Sequence, residues 1–461
     1  MRISVIGCGY LGAVHAAVLA HLGHDVVGID VDPEKVAVLA SGHTTFFEPG
    51  LAELLAAGTQ SGRLRFSTDP AELAGAVVHF VCVGTPQRAD SGLADLAAVD
   101  AAVAALLPRL ASGDLVVGKS TVPVGTAASV LGRLRAAGST ARVVWNPEFL
   151  REGHAVGDTL RPDRLVYGVA DEGSDDGAAD VALLDEVYAD LLRRGVPRVV
   201  TDLPTAELAK VAANSFLATK ISFANAMAEV CEAAGGDAVA LARTMAYDPR
   251  IGAQYLGVGL GFGGGCLPKD IRAFAATADE LGVGRSVAFL HEVDEINDRC
   301  QDRAVELVGR AAGGLRGARV AVLGAAFKPE SDDVRSSPAL DLAVRIADEG
   351  ADVVVTDPQA LLRAQLVAPQ LRYAVDAVEA LTGADVVVLA TEWQEYRSLD
   401  PAAVAAVVRR RCVVDTRNVW DLQQWQAAGF QAAALGRSAV RPGAGAARDA
   451  ASEGGLAAPG G

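Results

Sequence analysis

"RISVIGCGYLG", residues 2–12, decides the fold. A β-branched run ends in glycine and gives way to the helical pattern of residues 11–22. Gly7, Gly9 and Gly12 keep the G-x-G-x-x-G spacing. The first glycine allows a tight turn, the second admits a pyrophosphate against the backbone, and the third lets the helix pack on the strand. Taken alone, the pattern also describes a structural glycine turn. Here it follows a strand, opens a helix, and is answered by Asp30, 18 residues past Gly12, at the end of the next strand "DVVGID" (25–30). A carboxylate there accepts hydrogen bonds from an adenosine ribose and repels a 2′-phosphate, which selects NAD over NADP.

The surrounding chain agrees. "AVVHFVCV" (76–83), "DLVVGKST" (114–121) and "ARVVWN" (141–146) read as further buried strands with helices between them. Continuous apolar strands alternating with helices predict a parallel sheet covered on both faces. Residues 205–235 break the alternation with one long helical pattern free of internal glycine and proline, preceded by Pro204 and closed by Gly235. It would span roughly 45 Å at the α-helical rise, and it is apolar on more than one face. "ARVAVLG" (318–324), "ADVVVTD" (351–357), "ADVVVLAT" (384–391) and "RCVVDT" (411–416) then restore the strand pattern. The expectation is an α/β protein of two Rossmann-like, doubly wound parallel-sheet domains joined by a long central helix. The units are 1–200, 201–300 and 301–436, followed by a disordered Ala/Gly/Pro-rich tail at 437–461.

Composition excludes several classes of partner. The 461 residues carry a net charge of −16, which offers no footprint for nucleic acid or an anionic membrane. An anionic ligand would need a local cluster of Lys and Arg inside a pocket. The six cysteines are scattered and form no CxxC pair, which suits a reducing compartment and argues against disulfides or a thiolate zinc site. The seven histidines do not cluster with other ligand types, so no metal is expected. Glycines and histidines interrupt the apolar run 3–22 and no A-x-A site follows it, so it is not read as a signal peptide. The expected location is the cytoplasm.

Several motifs carry chemistry. "VCVGTP" (81–86) and "GKSTVPVGT" (118–126) place Gly, Thr and Pro just beyond strand carboxyl ends, where ligands bind in an open parallel sheet, although either could be a plain turn. "NPEFLREG" (146–153) adds Glu148 and Glu152, a pair that surface solvation would also explain. Lys210 and Asn214 are four residues apart and share one face of the long helix; the alternative for the lysine is a snorkelling edge position. In "GFGGGCLPKD" (261–270) four glycines crowd against Cys266. A free cysteine is commonly a small buried hydrophobe. This loop is too polar and flexible for core, and Lys269 stands nearby, an arrangement expected to lower the thiol pKa. No histidine base for a cysteine hydrolase is evident. A thiol beside a nicotinamide suggests aldehyde oxidation through a thioester.

These motifs, with "AELAKVAANSFLATKISF", "AFKPESDDVRSSP" and "DTRN", occur in the order found in the UDP-glucose/GDP-mannose dehydrogenase family, which the chain resembles to about residue 435. "RPDRLVYG" (161–168) and "RIG" (250–252) are more similar to the UDP-glucose branch. The resemblance implies oxidation of a sugar C6 alcohol to a carboxylate with two NAD and one water, and a long helix that also builds a homodimer or higher homo-oligomer. It implies that Cys266 is the nucleophile and that Lys210 and Asn214 stabilise an oxyanion. Asp270, Thr121 and Glu148 would position water. Phe149, Leu150, Glu152, Tyr255, Leu256 and Gly263 would meet the nucleotide sugar. Arg250 would reach a neighbouring subunit's substrate, and Lys328 and Arg417 would come from the second domain. Leu11, Lys35, Thr85, Lys269 and Arg335 would join Gly7, Gly9, Gly12, Asp30, Thr121 and Glu152 around NAD. Gly265 departs from the serine common before the cysteine. The competing readings are a GDP-mannose or UDP-N-acetyl-hexosamine substrate, a two-electron hydroxyacid dehydrogenase, which would need neither Cys266 nor the second domain, and a non-catalytic NAD-binding regulator.

Overall fold

The computed structural model describes residues 1–437. The expected tail therefore lies, from residue 438 onward, outside the described residues.

The first sheet comprises β1 (Arg2–Ile6), β2 (Asp25–Ile29), β3 (Leu64–Ser67), β4 (Val78–Val81), β5 (Leu115–Gly118), β6 (Arg142–Trp145), β7 (Leu165–Val169) and β8 (Arg198–Asp202). Their order is β3-β2-β1-β4-β5-β6-β7-β8. The strands from β3 to β6 run parallel, as the apolar runs predict. The parallel rule stops there: β7 pairs antiparallel with β6, and β8 follows β7 in parallel. An antiparallel neighbour needs no crossover helix to return the chain. The connection after β6 therefore turns back at the sheet's carboxyl edge, and "NPEFLREG" stays at that edge.

The second sheet contains β9 (Arg319–Leu323), β10 (Asp352–Thr356), β11 (Arg372–Tyr373), β12 (Val386–Leu389), β13 (Cys412–Asp415) and β14 (Gln431–Ala434). It is parallel throughout, in the order β11-β10-β9-β12-β13-β14. In both sheets the order reverses beside the first strand, and the crevice at such a switch point is where a parallel sheet offers a ligand its loops.

Four helices place the functional residues. Helix α1 (Tyr10–His21) is buried from Gly12 to Ala20 beneath the first sheet. Helix α2 (Leu203–Ala234) is the long one; Asp202 caps it by accepting from the Thr205 N–H, and Gly235 ends it with φ +77°. Helix α3 (Leu267–Glu280) starts directly after Cys266, with proline in its first turn. Helix α4 (Phe289–Ala312) packs on α2 and α3, and the later residues Ala304, Val308, Ala311 and Ala312 enter the core of the second sheet. Residue 300 falls inside this helix, so the central and C-terminal units share it. Among the described residues, no helix is long and apolar enough to cross a membrane.

Candidate active site

The β1–α1 turn has the shape a pyrophosphate needs. Gly7 has φ +88°, and a side chain at Gly12 would overlap the Gly7 carbonyl oxygen, so the helix can approach only because Gly12 lacks one. At Gly9 nothing lies within 4 Å of where a Cβ would stand, leaving the backbone open to a ligand. Asp30 closes β2, accepting from the Cys8 N–H at 2.8 Å and pairing with Lys35 Nζ at 3.0 Å.

The second domain repeats the fold without this arrangement. Asp357 follows β10 as Asp30 follows β2, but its carboxylate is consumed internally. It accepts from the backbone of Ala325, Ala326, Gln359 and Ala360 at 2.8–3.0 Å and from Trp393 Nε1 at 3.1 Å. The five donors to Asp357 are fixed N–H groups, whereas two of the four bonds to Asp30 come from the movable, part-exposed Lys35, which a ribose diol can displace.

A cleft of about 1250 Å³ runs from Gly9, Tyr10 and Leu11 past the ends of β4, β5 and β6, along α2 and the glycine loop, to the second domain. Thr85 Oγ1 donates to the Thr121 carbonyl at 2.7 Å and Ser120 Oγ to the Val83 carbonyl at 2.6 Å, which pins two neighbouring wall loops together. Glu148 accepts from the Leu150 N–H at 2.7 Å and pairs with buried Lys210 Nζ at 3.0 Å. Burial opposes the charge on Lys210, but Glu148, Cys266 and Asp270 outweigh it and hold the ammonium above its ordinary range. Asn214, one helical turn on, donates to Asp270 at 2.7 Å, and Lys269 pairs with the other oxygen of that carboxylate at 2.5 Å. Arg164 stacks on the Phe149 ring at 3.8 Å, and Lys210 Nζ lies 5.7 Å from the same ring. Lys210 is thus no snorkelling edge residue.

Cys266 is the exposed cysteine of the six; the other five are buried. Its thiol opens to the cleft but is otherwise crowded by protein. Here the expectation of a depressed pKa fails. Burial pushes the thiol up to about 12, with Asp270, Glu148 and Glu152 adding to the rise and Lys210 opposing it. The nearby Lys269 spends its charge on Asp270, so the cation acting on the sulfur comes from the helix, not the loop.

The crowded glycines have a structural cause. A side chain at Gly263 would overlap the Ser336 carbonyl, one at Gly264 would meet the Phe327 ring at 2.7 Å, and one at Gly265 would meet the Arg335 guanidinium at 2.5 Å. The loop lies flush against the second domain, which explains its composition at least as well as ligand approach does. Serine at position 265 would have to displace Arg335. Tyr255, on the same approach, holds φ +65°, a strained value for a non-glycine residue.

From the second domain, Lys328, Arg335 and Arg417 line the cleft. Arg335 is held by Asp333 and reaches Glu152 at 3.3 Å. Burial and then Asp333 push Glu152 up to about 7, against the pull of Arg335 and Lys328. Arg417 donates to the Ala390 carbonyl at 2.6 Å, while its buried Nη2 has no hydrogen-bond partner among the described residues. Seven expected residues do not line the cleft itself: Gly7, Gly12, Asp30 and Lys35 lie in and behind the dinucleotide turn, Asp270 is buried behind Asn214 and Lys269, and Arg250 and Leu256 stand apart. Arg250 is exposed and bonded to Asp248 at 2.6 Å, and Leu256 is buried behind the wall. The lining residues not singled out from the sequence include Arg164, Phe327 and Lys119. The signal for Lys119 was its place inside "GKSTVPVGT".

Comparison with known proteins matches the chain to three successive family models. They are the NAD binding domain (residues 1–192), the central domain (204–299) and the UDP binding domain (321–422) of the UDP-glucose/GDP-mannose dehydrogenase family. A UDP-glucose 6-dehydrogenase of Rhizobium meliloti (strain 1021) is 41% identical over 95% of this chain and 100% of its own length. The solved structure of a UDP-glucose dehydrogenase from Pyrobaculum islandicum superposes with TM-score 0.84 at 39% identity, covering 95% of this chain and 98% of that one. A UDP-D-ManNAc dehydrogenase from Pyrococcus horikoshii superposes at 0.82 with 27% identity, covering 95% and 100%. By sequence and by fold, the chain belongs to the UDP-glucose/GDP-mannose dehydrogenase family.

Proposed function

We propose that the chain is an NAD-dependent UDP-glucose 6-dehydrogenase, oxidising the C6 alcohol of UDP-glucose to the carboxylate of UDP-glucuronate. The observation that carries this reading is the accessible Cys266 thiol in a cleft shared by the dinucleotide turn and the cations of the second domain, with Lys210–Glu148 and Asn214–Asp270 beside it. The identities to UDP-glucose 6-dehydrogenases support the choice of sugar nucleotide over GDP-mannose or an N-acetyl-hexosamine.

The residues present fit NAD: the open backbone at Gly9 would take the pyrophosphate and Asp30 would take the adenosine ribose. NAD supplies a hydride acceptor, once per oxidation. The alcohol first loses a hydride and, to the carboxylates of Glu148 and Asp270 through water, its hydroxyl proton, and so becomes an aldehyde. Cys266 sulfur then bonds to the aldehyde carbon, and the thiol proton passes to the neighbouring water and carboxylate network of Glu148 and Asp270. Lys210 and Asn214 donate to the oxygen as it becomes anionic. Loss of the second hydride leaves a thioester, and water held by Thr121, Glu148 and Asp270 cleaves it to the carboxylate and free thiol. Lys328, Arg335 and Arg417 supply the local positive charge that an acidic chain needs to hold a diphosphate.

Offering the purified protein a panel of nucleotide sugars with NAD tests this reading. Two NADH per UDP-glucose consumed is the expected count. One NADH per sugar, or equal turnover of GDP-mannose, would overturn it.

We also propose that α2 forms a homodimer. Phe216, Phe223 and Val230 recur every seven residues along it and are 66%, 45% and 56% exposed, an apolar stripe on one helical face. Phe223→Asp should convert the dimer to a monomer by light scattering; an unchanged mass would refute the assignment. Six unpaired cysteines and a thiol mechanism suit a reducing cytoplasm.

A further inference from the structure

Beneath the cleft, between the ends of β5 and β6, lies a buried lysine that the mechanism above does not use. Lys119 is 7% exposed and lines the cleft. Its Nζ donates to Asn146 Oδ1 at 3.0 Å and to the Asn146 carbonyl at 3.3 Å. Asn146 is otherwise fully engaged. Its N–H donates to the Gly118 carbonyl at 2.8 Å, its Nδ2 to the Val166 carbonyl at 2.8 Å, and its Oδ1 also accepts from Tyr188 OH at 2.8 Å. Asn146 stands two residues before Glu148, at the root of the loop that carries Glu148 and Phe149.

A buried ammonium is expensive to keep, and here no carboxylate pairs with it directly. The groups that face it are Glu148 and Lys210 across the cleft, Cys82 at the end of β4, His15 on α1 and, through Asn146, Tyr188. The Phe80 ring lies 5.9 Å away. Burial holds Lys119 down at about 8, Lys210 pushing the same way against Cys82 and Glu148. An unfolded chain would keep that proton to its ordinary value of 10.5. Between the two values the unfolded state binds more protons, so stability rises with pH, and at neutral pH the charge costs folding energy. A destabilising charge retained beside the reacting groups points to function.

We propose that Lys119 is a positioning residue for the reaction: its ammonium clamps both acceptors of Asn146 and so fixes the height of Glu148 against Lys210. The role rests on the dehydrogenase reading above. When Lys119 loses its proton, the charge-assisted bonds to Asn146 weaken and Glu148 loses the registration it needs with substrate and water. Lys210 stays charged throughout the same range, so it does not supply that dependence.

The test is the pH profile of kcat from 6.5 to 10 with UDP-glucose and NAD. The unmodified protein should lose kcat as pH rises through about 8. Lys119→Arg keeps a charge at all these pH values and should remove that alkaline limb. Lys119→Met should lower kcat by ~10²-fold with little change in KM, flatten the limb, and leave the melting temperature unchanged or raised. A residue needed only for packing would lower kcat and melting temperature together. A Lys119→Met protein within twofold of normal kcat, or a limb that persists unchanged in Lys119→Arg, overturns the proposal. If Lys119→Arg does not fold, the pH profile of Lys119→Met decides alone. These results are separate from the reading of the reaction: an unmodified protein that reduces no NAD with any nucleotide sugar refutes that reading first.

Discussion

Replacing Cys266 by alanine should abolish four-electron turnover while leaving the fold and NAD binding intact. The side chain is exposed at the mouth of α3, where it makes no hydrogen bond that caps the helix, so its loss opens no core cavity. Removing a hydride from an alcohol needs no thiol. An aldehyde, by contrast, has no hydride to give until a nucleophile makes its carbon tetrahedral, and Cys266 is the nucleophile the cleft presents. The alanine variant should therefore stop after one oxidation or release aldehyde, giving at most one NADH per sugar. Cys266→Ser should trap an ester, because an oxygen ester resists hydrolysis better than a thioester, and mass spectrometry would find the sugar attached to the protein. The high thiol pKa adds a condition. A thiol pushed up to about 12 is protonated in the resting cleft, so sulfur attack on the aldehyde must be coupled to loss of the thiol proton. Two NADH per sugar from the alanine variant would remove Cys266 from the mechanism.

The fold was largely legible because its signals are local. Strand–helix alternation, Gly12 under its strand and the caps of α2 follow from neighbours in sequence, and the helix read as 205–235 runs Leu203–Ala234. Most strands that escaped notice are short or exposed: β11 has two residues, and β8 is exposed along much of its length. By contrast, β7 is a buried five-residue run, read only as part of the motif "RPDRLVYG". The reversal of β7 has no local signature, since an apolar run reads the same in either direction. At the site, residue types were legible but their states were not. The sequence places Lys269 beside Cys266, yet only the fold hands Lys269 to Asp270 and brings Lys210 in from a helix more than fifty residues away. Likewise the glycine loop announces a close approach without saying to what. The second domain, contributed by residues 327–338, supplies much of the answer. Lys119 was passed over because one cation in a strand-end turn looks ordinary until its burial is known.

Lys210→Ala should lower kcat by ~10²–10³-fold with KM for the sugar nearly unchanged. The argument runs through charge. Lys210 is 5% exposed, its ammonium is held above its ordinary range, and it lies 3.0 Å from Glu148. It is also the cation that most opposes the rise of the Cys266 thiol pKa. A donor aimed at an oxygen that becomes anionic only during reaction contributes little to binding the neutral alcohol and much to the transition state, hence the split between kcat and KM. The variant loses three things together: the oxyanion donor, the counter-cation of Glu148, and the main influence favouring a thiolate. Both oxidation of the thiohemiacetal and hydrolysis of the thioester pass through such an oxyanion, so the second phase of NADH formation and the hydrolysis that follows it should slow in single-turnover measurements. Lys119 is also drawn toward Glu148, but it bonds Asn146 and cannot replace the missing donor. Lys210→Arg should recover only part of the rate, because a guanidinium meets a carboxylate as a planar fork where the ammonium is a point charge. A Lys210→Ala protein with near-normal kcat would return this lysine to a packing role and leave the tetrahedral oxygen to Asn214 alone.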